Sequence, residues 1–410
     1  MINLKGSISY LVADNLASNS IGGFIESFNT SGYCRFCLLT KEKIQETFDE
    51  DISQMRTKES YLNDCNNQKD TNHKKIHSNG VKNDSCLNEL QFFNVTNGLP
   101  PDLMHDFLEG VIPNNLLLLL NSLNESKILS IHEFLEQFKQ FNYGRIDSKN
   151  KVPIDMFNEK ILKKDTISLS ASNMWTLIRV FPIIFGFKLK ENLKYLHFLK
   201  LIEIFRKINS SYFTEDEILT LKYEIFFYLS EYKIHYSEKN FKPKHHFITH
   251  YPNAIKRFGP PKDYSTMRFE SKHSYFKRVN HATRNHLNLT KSLSYGHQNL
   301  QLFHLLSENY FQNELTFGPE HKLNNDLKEY VNLHFMTDSV TYHNWLFNNN
   351  INYNVNDIVV TGKYNNLPVF ALIKSIINKN DEPILMISEL STLEYCNFLT
   401  GYIINEYDIF

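Results

Sequence analysis

Apolar residues between 114 and 236 recur at i, i+3, i+4 and i+7 with few Gly or Pro, in five runs at 116–123, 131–141, 167–187, 196–208 and 218–232. That period lays one apolar stripe along each helix, so about five packed helices are expected here. A different period brackets them. Residues 4–13 alternate and then run apolar into Asp14, as a half-buried strand does on entering a core, which would put Asp14 at a strand's C-terminal end. Residues 353–405 alternate in short runs separated by turn signals at Gly362, Asn365-Asn366 and 378–383, and predict a small all-β module.

Polar stretches supply the punctuation. Ten of the forty residues in 51–90 are apolar against 42% for the chain, which reads as an exposed, partly disordered connection. Gly98-Leu-Pro-Pro-Asp102 then sets up a helix start, with the prolines fixing the entry and Asp102 placed to cap. Residues 265–282 carry Ser265-Thr266 as a cap and read as a helix with Glu270 in its first turns. The expected class is α+β, mainly helical. Its division is 1–50 (strand and Cys-x-x-Cys knuckle), 51–97 (polar connection), 98–240 (helical insertion), 241–310 (His pair and Glu-bearing helix), 311–352 (linker) and 353–410 (β module).

Lys and Arg number 44 and Asp and Glu 45, a net charge of -1, so a nucleic-acid partner would have to be met by a local patch. One exists. Residues 242–286 hold ten Lys or Arg against Asp263 and Glu270, a local charge near +8, with Tyr264, Phe269, Tyr275 and Phe276 interleaved. Arg268, Lys272, Lys277 and Arg278 beside Glu270 are the candidate phosphate contacts, although a solvated face would look similar. No run of 18 apolar residues occurs and no signal-peptide pattern opens the chain, so the expectation is an intracellular protein without a membrane partner.

Five cysteines are too few for a disulfide framework at this length, and a tight pair in a reducing compartment favours metal. Cys34 and Cys37 form such a pair, and a distant second pair is offered by His245, His246 and His250. If that turn is helical, His246 and His250 share a face; if it is irregular, His245 and His250 are equally suited. Cys34 lies 20 residues after Asp14, and His250 lies 20 before Glu270. Closing the metal site would draw the two acidic residues toward one another, the layout of metal-dependent phosphoryl-transfer enzymes.

The blocks Leu11-Val-Ala-Asp14-Asn-Leu-Ala-Ser-Asn-Ser-Ile-Gly-Gly-Phe24, Tyr33-Cys-Arg-Phe-Cys37, Arg56-Thr-Lys-Glu-Ser-Tyr61, Leu99-Pro-Pro-Asp-Leu-Met-His-Asp-Phe-Leu-Glu-Gly110 and Met267-Arg-Phe-Glu-Ser-Lys-His-Ser-Tyr-Phe-Lys-Arg278 resemble cut-and-paste DDE transposases of the CACTA (EnSpm) kind. More distantly, the layout is similar to the catalytic subunit of the V(D)J recombinase. The resemblance covers about residues 4–300. It implies a partial ribonuclease-H-like core interrupted by the helical insertion, with Asp14 and Glu270 as the second and third catalytic carboxylates. It further implies Cys34, Cys37, His245 and His250 as ligands of a structural zinc, with Asp102 and His105 as an accessory Asp-x-x-His pair; a plain helix cap is the rival reading of that pair.

The family's first catalytic Asp lies well upstream of the second, and residues 1–13 contain no Asp or Glu. The expectation is therefore a transposable-element-derived protein resembling the C-terminal part of a transposase, truncated at its N-terminus and inactive as written. Its chemistry would have used Mg²⁺ or Mn²⁺, its partner would be DNA, its place the nucleus, and homo-oligomer formation is left open. The rival is a non-catalytic, zinc-stabilised DNA-binding or protein-interaction module.

Overall fold

A computed structural model describes residues 6–69, 78–237, 239, 241–284, 287–307, 315–321, 329, 333, 340–349 and 351–406. The chain is α+β and divides into two compact units, residues 1–275 and 276–410. In the first unit the longer helices are α1 (Asn15–Ile21), α2 (Lys58–Lys69), α3 (Ile112–Glu125), α4 (Ile131–Gln140), α5 (Ala171–Leu189), α6 (Leu193–Ile208), α7 (Glu215–His235), α8 (Pro243–Phe247) and α9 (Tyr251–Phe258). α10 (Thr266–Thr283) runs across the division, and α11 (Leu289–Leu306) follows it. No helix among the described residues is long and apolar enough to cross a membrane.

Each of the five periodic runs falls on a helix, α3 to α7, and the helix starts are written locally. Ser130, Ser170, Asn192 and Thr214 accept hydrogen bonds from backbone N–H groups of the first turns of α4, α5, α6 and α7. Thr214 and Glu217 complete a reciprocal capping box. The apolar stripes then meet. Phe134 of α4 lies with its ring centroid 4.6 Å from Phe138, 5.0 Å from Phe157 and 5.9 Å from Phe185, and is fully buried. Leu116, Leu117, Leu119, Leu120 and Leu123 of α3 are buried alongside. Upstream of α3, Met104–Val111 is wound as a π-helix, a wider turn often found at functional sites, and it continues directly into α3.

Three expectations change. Residues 6–13 carry no strand, and within the first unit the described residues make only isolated bridges, Phe24 with Val81 and Cys37 with Met55. An alternating segment becomes a strand only beside another strand, and here the Leu11 N–H donates to the Gly98 carbonyl instead. The described residues thus hold no ribonuclease-H-like sheet; residues 4 and 5 of the expected strand lie outside them. The polar connection also takes part in the core: Tyr61, Cys65, Val81, Phe93 and Val95 pack with Phe24 and Leu99. Low apolar content misled because these few residues all face inward. Residues 70–77 of that connection lie outside the described residues.

The second unit carries eight described strands, β1 (Thr316–Phe317), β2 (Val340–His343), β3 (Trp345–Asn348), β4 (Ile351–Asn354), β5 (Ile358–Tyr364), β6 (Leu367–Lys379), β7 (Glu382–Cys396) and β8 (Gly401–Glu406). They form two antiparallel sheets, ordered β1-β3-β4 and β2-β6-β7-β8, with β5 also paired to β6. Asn365-Asn366 and Asn380-Asp381, all at positive φ, close the β5–β6 and β6–β7 hairpins as two-residue turns matched to strand twist require. Leu346, Ile373 and Ile376 centre a core here. The β module is thus wider than its sequence signal, because β1, β2 and β3 fall in the stretch expected to be linker.

Candidate functional site

Cys34, Cys37, His246 and His250 converge in the first unit as a fully buried group whose ligand atoms all lie within 4.8 Å of one another. Cys37 Sγ is 3.1 Å from His246 Nε2, Cys34 Sγ is 3.5 Å from His250 Nε2, and the two Nε2 atoms are 3.2 Å apart. A tetrahedral zinc with bonds of about 2.0–2.3 Å sets its ligands roughly 3.3–3.8 Å apart, so this donor set fits one ion. The chain writes the two halves separately. α8, the turn Ile248–His250 and α9 are helical in succession, which puts His246 and His250 four residues apart on one face. On the other half, Gly32 at φ +72° lies against the Asn79–Gly80 backbone, where a Cβ would stand 2.9 Å from the Asn79 carbonyl carbon. Arg56, buried and paired with Asp64 at 3.6 Å, donates from Nε to the Cys34 carbonyl at 2.9 Å and from Nη2 to the Gly32 carbonyl at 3.2 Å. It holds the knuckle's backbone from inside.

His245, expected as a ligand, stands apart. Its Nδ1 accepts from the Lys242 N–H at 3.1 Å, and its ring packs 4.8 Å from Tyr232 and 5.5 Å from Phe241. Burial pulls its pKa down to about 3, so it is a neutral core residue. His246 takes the ligand place because the helical turn carries it, not its neighbour, toward the cysteines. A further residue carried no signal in the sequence: Glu50 Oε1 lies 2.6 Å from His250 Nδ1, the position from which a carboxylate orients a metal-bound imidazole. Burial opposes charge on His250, but the Cys34 thiolate and Glu50 outweigh it and push the pKa up to about 9. Burial likewise disfavours a Cys34 thiolate, yet Cys37, His246 and His250 hold its pKa well below that of an ordinary thiol. Cys34 and burial push Cys37 up instead, so a cation bound here would displace the protons that Cys37 and His250 retain.

A second constellation of the same unit gathers Asp102, His105 and Glu270. Asp102 is buried and accepts from Thr266 Oγ1 at 2.6 Å, the Thr266 N–H at 3.0 Å and the His105 N–H at 3.2 Å; its Oδ2 lies 2.5 Å from His105 Nδ1. It caps its own helix and ties that helix to the start of α10. Those hydrogen bonds overcome burial and keep its pKa below the usual carboxylate value. His105 is raised, because Asp102, Glu109 and Glu270 outweigh its partial burial. Its Nε2 lies 3.6 Å from Glu270 Oε1 and 3.7 Å from Glu109 Oε2. Asp14 ends no strand: it caps α1, accepting from the Ala17 N–H at 2.6 Å. Its neighbour Asn15 donates to Asp106 at 2.7 Å and accepts from Arg35 at 2.7 Å, while the Tyr251 hydroxyl donates to Asp106 at 3.1 Å. Each member of that buried chain adjoins a candidate residue in sequence: Arg35 beside Cys34, Asn15 beside Asp14, Asp106 beside His105 and Tyr251 beside His250.

The candidate cations ride on α10, where Thr266 is the only buried side chain and Arg268, Lys277 and Arg278 are exposed. Arg268 also lines a cleft of about 630 Å³ with Lys262, Trp175 and Met104. Lys272 lies over the Tyr275 ring at 4.6 Å. Met267, Lys272, Tyr275, Phe276, Val279 and Asn280 are half-buried, while Arg268, Lys277 and Arg278 stand in solvent. No protein-family model matches the chain, and no characterised protein matches it in sequence.

Proposed function

We propose that the protein is a transposable-element-derived, DNA-binding protein of the cut-and-paste transposase kind, in which one structural zinc clamps the Cys34–Cys37 knuckle to the His246–His250 turn. The observation that carries this reading is the closure of ligand pairs 209 and 216 residues apart into one buried four-ligand group. The same unit ties α1 to the Asp102–Asp106 segment and to the start of α9 through Asn15, Asp106 and Tyr251. When bound, zinc supplies folding free energy and no chemistry on DNA.

The carboxylates do not fit a two-metal centre. In-line phosphoryl transfer needs a carboxylate bridging two cations about 4 Å apart and further ligands for each. Asp14 caps α1, Glu270 and Glu109 both face His105, and the buried carboxylates are engaged, Asp102 by Thr266 and His105, Asp106 by Asn15 and Tyr251. On this reading the chain does not cut DNA and binds it through the cations of α10. Incubating the zinc-loaded protein with supercoiled DNA and Mn²⁺ tests both halves. Salt-sensitive binding without nicking is the expected result. Nicking lost in both Asp14→Ala and Glu270→Ala would overturn the non-cutting half, and absence of binding at low salt would overturn the other.

A further inference from the structure

A half-enclosed groove of about 760 Å³ opens elsewhere in the first unit, between the knuckle segment, the first turns of α3, the loop around Lys163 and the lead into α8. Five lysines line it: Lys41, Lys163, Lys164, Lys239 and Lys242. Only two lining residues, Glu42 and Asp165, are acidic, which leaves a charge of +3 around one cavity. Among the described residues none of the five lysines is ion-paired, whereas Lys82, Lys188, Lys200, Lys207 and Lys256 each face a glutamate. All five are exposed, so each is solvated by itself, and a multiply charged anion seated in the groove would meet several of them at once.

The walls are pinned before any ligand arrives. Gln45 of the knuckle accepts from the Phe241 N–H at 2.7 Å and donates to the Phe241 carbonyl at 3.2 Å, and Asn114 of α3 donates to the Asp165 carbonyl at 3.2 Å. Asn114 is 6% exposed, and its Oδ1 has no hydrogen-bond partner among the described residues, so it offers an acceptor to a hydroxyl or amine. Tyr33 and Tyr232 add aromatic wall. The volume suits a small organic molecule and far exceeds a single phosphate. Cations from three segments around one cavity differ from cations laid along a face, which is the arrangement a nucleic-acid backbone needs.

We propose that this groove binds a compact polyphosphate, a small molecule carrying several phosphates on a hydroxylated scaffold, and that its occupancy fastens the knuckle to the helical segment. The site is separate from α10 and does not rest on the DNA reading. Two sources share the chemistry, inositol polyphosphates and nucleoside triphosphates.

Calorimetric titration and thermal unfolding of the zinc-loaded full chain at fixed ionic strength test the proposal, with inositol hexakisphosphate, ATP and inorganic tripolyphosphate as probes. One-to-one, saturable binding and a concentration-dependent rise in Tm are expected for inositol hexakisphosphate or ATP, whichever source is right, with tripolyphosphate weaker because it lacks a hydroxyl for Asn114. A Lys163→Gln, Lys239→Gln double variant, checked to retain one zinc per chain, should bind about tenfold or more weakly. No saturable binding by any probe, or binding unchanged in the double variant, would overturn the proposal. So would displacement of the probe by a short DNA duplex with the same lysine dependence, which would make the groove a nucleic-acid track.

Discussion

His245 and His246 are neighbours in the chain and equally buried, yet one faces Phe241 and the other Cys37. Composition cannot separate them; the helical turn from Pro243 does, by aligning His246 with His250. The purified protein is accordingly expected to hold one zinc per chain, measured by elemental analysis, and to lose it in His246→Ala but keep it in His245→Ala. Glu50→Gln should retain the metal with affinity lowered about 10- to 100-fold in a competition titration, because the imidazole loses its orienting carboxylate. Asp106 and His105 give stability a pH dependence. Burial pushes Asp106 from 3.8 to about 6, so its ionisation opposes folding above pH 6 and that opposition is relieved as pH falls toward 4. His105, raised from 6.5, adds stability that is complete below its unfolded value and fades as pH rises through its folded one. Between about pH 7 and 5, Asp106→Asn should remove about 1 kcal/mol of acid-side stabilisation relative to wild type in chemical denaturation under saturating zinc, where metal linkage is common to both. Identical pH profiles would rule out a titrating Asp106.

Helices were the most legible elements, since a 3.6-residue apolar period and a Ser, Thr or Asn cap are both local in the chain. α4 shows what that period is for: its Phe134 touches rings from α4 itself, α5 and the Phe157 turn. Phe134→Ala should therefore cost about 3–5 kcal/mol, read as a fall in Tm, whereas an exposed position such as Leu219 on α7 should change little. The segment before Asp14 was misread for a complementary reason: alternation marks a strand only if a partner strand exists, and no local signal reports one. α10 lies between these cases. Its length was legible from the absence of a breaker, but that Thr266 would be its one fully buried side chain was not. If its cations meet phosphates, replacing Lys272, Lys277 and Arg278 with Ala should lower the slope of log affinity against log salt by up to about 2.7. An unchanged slope would make the face merely solvated.

At the scale of the molecule, the metal group belongs wholly to the first unit, while the sheets of the second have their own core of Leu346, Ile373 and Ile376. Chelation should therefore raise amide exchange through 34–56 and 243–258 and leave the β5–β8 strands protected; equal loosening of both units would contradict this division of stability. By itself the sequence determined what is local: the five insertion helices, the turn signals at Asn365-Asn366 and 378–383, and the two halves of a candidate metal site as residue types at the right spacing. It also placed Asp102 at a helix start, because Pro-Pro-Asp encodes that geometry within five residues. Only the tertiary structure decided which histidine joins Cys34, Cys37 and His250, that Glu50 backs His250, that Asp14 caps a helix instead of ending a strand, and that Asp102, His105 and Glu270 meet across 168 residues of chain. The reason is physical. Periodicity and capping act over a few residues and leave a mark in any window, whereas ligand choice, carboxylate pairing and strand partnership depend on which distant surfaces come into contact, and no window of the chain contains both.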